Sequence, residues 1–200
     1  MYLSRMVLDL EDALARRDLG DPYEMHATLM RLVDAGAARP LWRLEPTRAT
    51  EPPHVLIQTN VEPDATALRE RGTAYFTAFD TKRHVLVDAI AAGDALRFRL
   101  RANPTVKREG KRHGLTLEED QIAWIERSLV KHGAGDVVAM VRSSERRAMG
   151  RRRRTPAIVL QDVTYEGVVR VSEPDAIRSA IRHGIGHAKA LGYGLLTVAR

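Results

Sequence analysis

The chain has 200 residues, no cysteine, and 32 Lys and Arg against 26 Asp and Glu, which gives a net charge of +6. This length suffices for one large domain or two small ones, and the lack of cysteine excludes disulfides and thiolate metal sites. No apolar run approaches the ~18 residues of a membrane span, so we expect a cytoplasmic protein without membrane contact.

The first half of the chain carries strand and helix signals in the order βαββαβ. Apolar alternation predicts strands over residues 1–10, 41–46 and 54–60, and a further strand over 74–80 or 84–90. Helical spacing of apolar residues predicts a helix over 22–35 and a short one over 64–71.

The predicted helix over 22–35 has clear end signals, with Asp21 as its N-cap and Gly36 as its C-terminal glycine. Tyr23 and His26 lie three residues apart, on the shoulder of its apolar stripe. The pattern alone leaves open whether these two side chains pack at the edge of the core or act in chemistry.

The second half repeats the same order of elements. Strands are predicted over 95–105, 136–142, 157–171 and 195–198, and helices over 117–132 and 174–183. Two βαββαβ units predict an α+β fold of two tandem ferredoxin-like (RRM-like) domains, an N-terminal one over 1–92 and a C-terminal one over 93–200.

Positive charge is concentrated in the second of these domains. Residues 1–93 hold 11 Lys and Arg against 14 Asp and Glu, whereas residues 94–200 hold 21 against 12. A GC-rich genome would explain arginine in place of lysine but not this uneven distribution. We therefore expect a polyanionic partner on the C-terminal half.

Three basic segments could contact such a partner. Arg97, Arg99 and Arg101 share one face of the strand over 95–105, and Lys107, Arg108, Lys111 and Arg112 follow it. The predicted loop over 143–156 contains Arg151, Arg152, Arg153 and Arg154, which suit a phosphate-binding arm or, alternatively, a surface loop without a partner.

The third basic segment is rich in glycine. Lys189 lies between Gly184 and Gly186 on one side and Gly192 and Gly194 on the other. Glycines allow backbone N–H groups to approach a phosphate, but the same spacing also suits a flexible turn. The Walker and dinucleotide-binding patterns are absent, as are HxH and HExxH, so we expect no cofactor and no metal site.

Four stretches together resemble one family over essentially the whole chain. "DPYEMHATL", "PLWRLEP", "LRFRLRANPT" and "GIGHAKALGYGLLTV" occur in the order typical of the CasE family, the CRISPR repeat-processing endoribonucleases of type I-E systems. The resemblance implies two ferredoxin-like domains. It also implies cleavage of precursor CRISPR RNA at the 3′ base of the repeat stem-loop without metal, followed by retention of the mature crRNA within the Cascade complex.

The resemblance also implies roles for particular residues. Its YxxH spacing assigns the catalytic tyrosine and histidine to Tyr23 and His26, and a basic residue that follows matches Arg31. The glycine-rich motif matches Gly184, Gly186, Lys189, Gly192 and Gly194. Combined with the basic segments, the predicted RNA-binding set also includes Arg99, Arg101, Lys107, Arg108, Lys111, Arg151, Arg152, Arg153 and Arg154.

These residue types suit RNA cleavage, because RNA supplies its own 2′-OH nucleophile and the protein need only align it and move protons. Such a reaction gives a 2′,3′-cyclic phosphate and a 5′-OH. Which of Tyr23 and His26 is the base stays open. The alternative function is a non-catalytic RNA-binding or assembly subunit with the same fold; a DNA-binding regulator is disfavoured, since no helix-turn-helix pattern occurs.

Overall fold

The computed structural model describes residues 1–48, 50–69, 74–149 and 158–200. The chain forms two compact units. Unit 1 comprises Met1–Val85 together with Lys189–Gly192, and unit 2 comprises Leu86–Ala188 together with Tyr193–Arg200. The predicted domain boundary between residues 92 and 93 stays a prediction. Within the described ranges, no helix is long and apolar enough to cross a membrane.

Unit 1 is built on a four-stranded antiparallel sheet. Its strands are β1 (Tyr2–Leu8), β2 (Leu41–Leu44), β3 (His54–Thr59) and β4 (Phe76–Arg83), and its helices are α1 (Ala13–Gly20), α2 (Pro22–Leu29) and α3 (Thr66–Arg69). The order across the sheet is β2-β3-β1-β4. Met6, Met25 and Ile57 are buried in the core between this sheet and its helices.

Unit 2 contains a second four-stranded antiparallel sheet and a separate hairpin. The sheet strands are β5 (Ala95–Ala102), β8 (Ala134–Met149), β9 (Ile158–Val171) and β10 (Leu196–Ala199), in the order β10-β5-β9-β8. The hairpin strands are β6 (Thr105–Arg108) and β7 (Lys111–Gly114), and the helices are α4 (Glu118–Lys131) and α5 (Pro174–His183).

Both sheets have the same topology when their strands are numbered within the unit. Each has the order 4-1-3-2, and helices connect the first strand to the second and the third to the fourth. This is the arrangement of a βαββαβ ferredoxin-like unit. The predicted α+β fold with two tandem ferredoxin-like units is therefore confirmed.

Several predicted element bounds were wrong. The helix predicted over 22–35 ends at Leu29 and is followed by a 3₁₀ turn, Met30–Leu32. The Leu32 carbonyl accepts the N–H of Asp64 at 2.9 Å, and Val33 is extended, so tertiary contacts end the helix before Gly36. The segment over 84–90 forms a 3₁₀ turn, Val85–Val87, and the strand is the alternative one at 74–80.

The loop predicted to begin at residue 143 was also misplaced. Residues up to Met149 belong to β8, where Arg147 lies opposite Leu160 and Met149 opposite Ile158 on β9. The segment forms a strand because it pairs with the apolar strand β9, and its own polar sequence gives no sign of this pairing.

Candidate active site and RNA-binding surface

Helix α2 holds Tyr23 and His26 in its first and second turns. The Asp21 carboxylate accepts the Tyr23 N–H at 2.9 Å, and proline occupies the first helical position. Met25 and Leu29 are buried, whereas Tyr23 and His26 are half-buried. The cap and the buried stripe thus fix the helix and leave both candidate side chains partly accessible.

A buried cluster of polar side chains anchors α2 to neighbouring elements of unit 1. Asp18 of α1 is 1% exposed, and its Oδ2 accepts the Thr28 hydroxyl at 2.6 Å and the Tyr75 hydroxyl at 2.8 Å. Burial, followed by the adjacent Asp18, raises the pKa of Tyr75, so the phenol stays a donor to the carboxylate. Since Thr28 lies on α2, this cluster ties α2 to α1 and to the start of β4.

The surroundings of His26 favour the neutral form of its imidazole. Burial chiefly, and then the positive charge of Arg39, lower the pKa of His26 below its ordinary value of 6.5. Its Nδ1 is buried and has no hydrogen-bond partner among the described residues. Because Nδ1 is buried, a substrate could reach only Nε2, and a neutral imidazole can accept a proton there at neutral pH.

A 3₁₀ turn from the far end of the chain packs on α2. This turn, Lys189–Leu191, contacts both α2 and β2, and all three belong to unit 1. Gly192 lies so close to Trp42 of β2 that an added Cβ would come within 2.8 Å of the indole ring. Burial lowers the pKa of Lys189, which is half-buried. The glycine-rich segment therefore brings a lysine to the helix that carries Tyr23 and His26.

All four predicted glycines have positive φ, between 72° and 86°. Three of their N–H groups are used within the protein: Gly184 donates to Ala180 O at 2.8 Å, Gly192 to Lys189 O at 3.3 Å, and Gly194 to Arg101 O at 2.7 Å. The glycines therefore serve backbone conformation, and a phosphate cradle made of these three N–H groups is not available.

Arg31 lies outside α2. It occupies the 3₁₀ turn Met30–Leu32 and is exposed. The sequence placed it on the same helix as Tyr23 and His26, but the early end of α2 puts it in the turn that follows.

The two predicted arginines of β5 are engaged in ion pairs. Arg101 is 9% exposed, its Nε donates to Asp162 at 2.7 Å, and its guanidinium lies 4.9 Å from the ring centroid of Tyr193. Arg99 is half-buried and pairs with Glu166. The alternation of the strand is as predicted, yet Arg101 pairs with Asp162 and is largely removed from solvent.

The hairpin β6–β7 concentrates exposed positive charge. Lys107 lies opposite Arg112 and Arg108 opposite Lys111, and all four residues are exposed. Like charges directly opposite each other destabilise a strand pair, so folding does not account for this arrangement. An external polyanion would offset the repulsion.

Two further predictions are limited by the described residues. Arg151, Arg152, Arg153 and Arg154 lie outside them. Within them, no group of three or more His, Asp or Glu side chains is arranged to hold a metal ion.

Comparison with known proteins relates this geometry to a family. A model described as "CRISPR associated protein" matches residues 1–200. The chain is 39% identical to the CRISPR-associated endoribonuclease Cse3 of Thermus thermophilus over the full length of both proteins. It is 30% identical to the Cascade subunit CasE of Escherichia coli, with all of this chain and 99% of the relative covered. The chain belongs to the CRISPR-associated Cse3/CasE family.

A solved Cse3/CasE structure shares the whole fold. The structure of CRISPR endoribonuclease Cse3 bound to a 19-nucleotide RNA superposes with a TM-score of 0.90 at 38% identity, and 100% of each chain is covered. The predicted membership of this family is thus confirmed. The roles of individual residues stay predictions.

Sequence reasoning missed two features of this candidate site. The Asp18–Thr28–Tyr75 cluster was not predicted, because α1 was not predicted and no local pattern links residues 10 and 57 positions apart. The packing of Lys189–Leu191 on α2 was also missed. The four glycines indicated a turn, but nothing in them indicates which element the turn contacts.

Proposed function

We propose that this protein is the endoribonuclease that processes precursor CRISPR RNA. The proposed cut is at the 3′ base of the repeat stem-loop, and the protein then keeps the mature crRNA as a subunit of Cascade. It would act in the cytoplasm, where the transcript is made. The relatives named as an endoribonuclease and as a Cascade subunit support this proposal at the level of the whole chain.

One observation supports His26 as the proton acceptor in this reaction. His26 lies half-buried on a well-fixed helix, with its Nδ1 unpartnered among the described residues and its pKa lowered by burial and by Arg39. Burying a polar nitrogen without a partner costs stability, which packing alone does not explain. A half-buried histidine with a lowered pKa is suited to take the proton of a 2′-OH through Nε2, since Nδ1 is buried.

The proposed reaction needs no metal. The 2′-oxygen attacks the adjacent phosphorus as its proton passes to the imidazole, and the products are a 2′,3′-cyclic phosphate and a 5′-OH. Tyr23 orients a phosphate oxygen or the 2′-OH, and Arg31 supplies positive charge to the phosphorane. The exposed lysines and arginines of the β6–β7 hairpin, with the arginines over 151–154, hold the RNA phosphates.

Cleavage of the repeat RNA from the same genome, with and without EDTA, tests this proposal. We expect a single cut that survives EDTA, and a substrate with 2′-deoxy at the cut site should bind without being cleaved. In His26→Ala the single-turnover rate should fall by about 10²–10⁴-fold, because a positioned proton-transfer group typically supplies that much. The RNA affinity of this variant should change little.

His54→Ala is the matched control. His54 is also half-buried, and its Nδ1 has no partner in the described part of the chain, but it lies on β3 and not on α2. The His54→Ala variant should cleave the repeat RNA at the wild-type rate. A wild-type protein that binds the repeat RNA without cutting it would instead support the non-catalytic RNA-binding or assembly subunit. Full activity in a folded His26→Ala variant would refute the assignment of His26.

A further inference from the structure

We infer that Lys189 is the general acid of the cleavage reaction and protonates the 5′-oxygen as it leaves. The inference rests on the proposed function, and it assigns to this lysine a role beyond RNA binding. It starts from a chemical requirement. When a neutral His26 takes the 2′-OH proton, a second group must give a proton to the departing 5′-alkoxide, which is a poor leaving group.

The location of Lys189 next to the candidate site supports this role. The turn Lys189–Leu191 contacts α2, the helix that carries Tyr23 and His26, and it belongs to the same compact unit. The turn is also fixed by Gly192, which follows it and packs against the Trp42 indole. A lysine fixed in this way is placed by the fold and not by a mobile surface loop.

The protonation chemistry of Lys189 also fits. Its half-buried position lowers the pKa of the ammonium, which makes the group a better proton donor near neutral pH. Arg31 cannot take this role, because a guanidinium does not deprotonate in proteins and because its side chain is exposed. Arg31 can contribute charge only.

The protons and bonds balance in this scheme. The 2′-oxygen–phosphorus bond forms as the 2′-OH proton moves to His26, and the phosphorus–5′-oxygen bond breaks as a proton moves from Lys189. His26 ends as imidazolium and Lys189 as the amine. Proton exchange with water then restores both groups.

A substrate with sulfur in place of the bridging 5′-oxygen separates an acid from other roles. A thiolate leaves without protonation, so the loss of the acid should not slow this substrate. In Lys189→Met, which keeps the apolar stem, we expect single-turnover cleavage of ordinary RNA to fall by about 10²–10⁴-fold and cleavage of the 5′-thio RNA to stay near the wild-type rate. Lys189→Arg should behave in the same way, because the guanidinium keeps the positive charge but does not give up a proton.

Three controls make the outcome specific. Lys131→Met, at an exposed position in the last turn of α4, should cleave both substrates normally. His26→Ala should be slow on both, since the base is needed in each case. Wild-type protein should lose activity at high pH on ordinary RNA as the acid deprotonates, and this loss should be absent with the 5′-thio RNA, a test that needs no variant.

Other outcomes overturn the inference in distinguishable ways. Equal losses on both substrates in Lys189→Met would mean that the lysine binds phosphate or stabilises charge. Rescue of Tyr23→Phe by the 5′-thio RNA would make Tyr23 the acid. Wild-type protein that cleaves neither substrate would refute the proposed function itself, whereas normal cleavage by Lys189→Met would refute only the role of Lys189.

Discussion

At the scale of single residues, the fold changes the ionisation of His26. Its burial disfavours the imidazolium, and the charge of Arg39 acts in the same direction. We expect an NMR titration to place the midpoint of His26 below the ordinary ~6.5. In Arg39→Gln the midpoint should rise only slightly, because burial is the larger cause. A midpoint at or above 6.5 in the wild type would contradict this account.

The lowered pKa also predicts how stability depends on pH. The unfolded chain binds a proton at His26 near pH 6.5, whereas the folded chain binds it only at lower pH, so this residue favours the folded state above pH 6.5. That contribution is lost as the pH falls through this range. Between pH 7.5 and 5.0 the unfolding free energy of the wild type should therefore drop more than that of His26→Ala, as measured by urea denaturation.

Arg101 and Arg99 lie on one face of β5 but should respond differently to substitution. Removal of Arg101 leaves the buried Asp162 with Arg147, at 2.9 Å, so Arg101→Ala should lose stability towards the lower end of the ~3–5 kcal/mol typical of a broken buried pair. Arg99→Ala should lose about 0–1 kcal/mol, because its pair with Glu166 is partly exposed. Similar losses in urea denaturation would refute this distinction.

At the scale of elements, the sequence predicted those whose signals are local. β1, α4 and α5 have alternation or helical spacing over their whole lengths, and their observed bounds lie within two residues of the predicted ones. Helix α1 was missed because its eight residues are too few to show a helical repeat of apolar side chains. It is stabilised instead by its Asp12 cap and by Asp18, which contacts residues distant in sequence.

The candidate site also combines features with local sequence signals and features without them. The spacing of Tyr23 and His26 on a capped helix could be read from the sequence, whereas the partners of that helix could not. The placement of Lys189 on α2 depends on the return of the chain's end to unit 1. Long-range packing of this kind has no periodic signal.

Gly192 and Gly36 provide a test of the packing that places the turn. Both have positive φ, but a Cβ at Gly36 would meet nothing within 4 Å, whereas at Gly192 it would meet the Trp42 ring at 2.8 Å. Gly36→Ala should cost about 1 kcal/mol for the backbone conformation alone. Gly192→Ala should cost more and should also slow RNA cleavage, because the turn must shift away from β2 and α2. Equal effects on stability and cleavage would refute a packing role for Gly192.

At the scale of the whole molecule, the net charge of +6 arises from an excess in the second half of the chain. This excess could act in two ways. It could attract RNA as a diffuse field, or it could bind phosphates at particular side chains. The β6–β7 hairpin favours the second, because its facing pair Arg108 and Lys111 is exposed in an arrangement that costs folding energy.

Two double variants with the same change in net charge separate these possibilities. One is Arg108→Gln with Lys111→Gln on the hairpin. The other is Arg127→Gln with Lys131→Gln, both exposed on α4. If the hairpin contacts phosphates, its variant should bind repeat RNA more weakly, and the slope of log affinity against log salt should fall by roughly one unit per lost contact. The α4 variant should keep nearly the wild-type slope. The hairpin variant should also unfold no more easily than the wild type, because a like-charge pair has been removed. Equal slopes in the two variants would mean that the hairpin acts only through net charge.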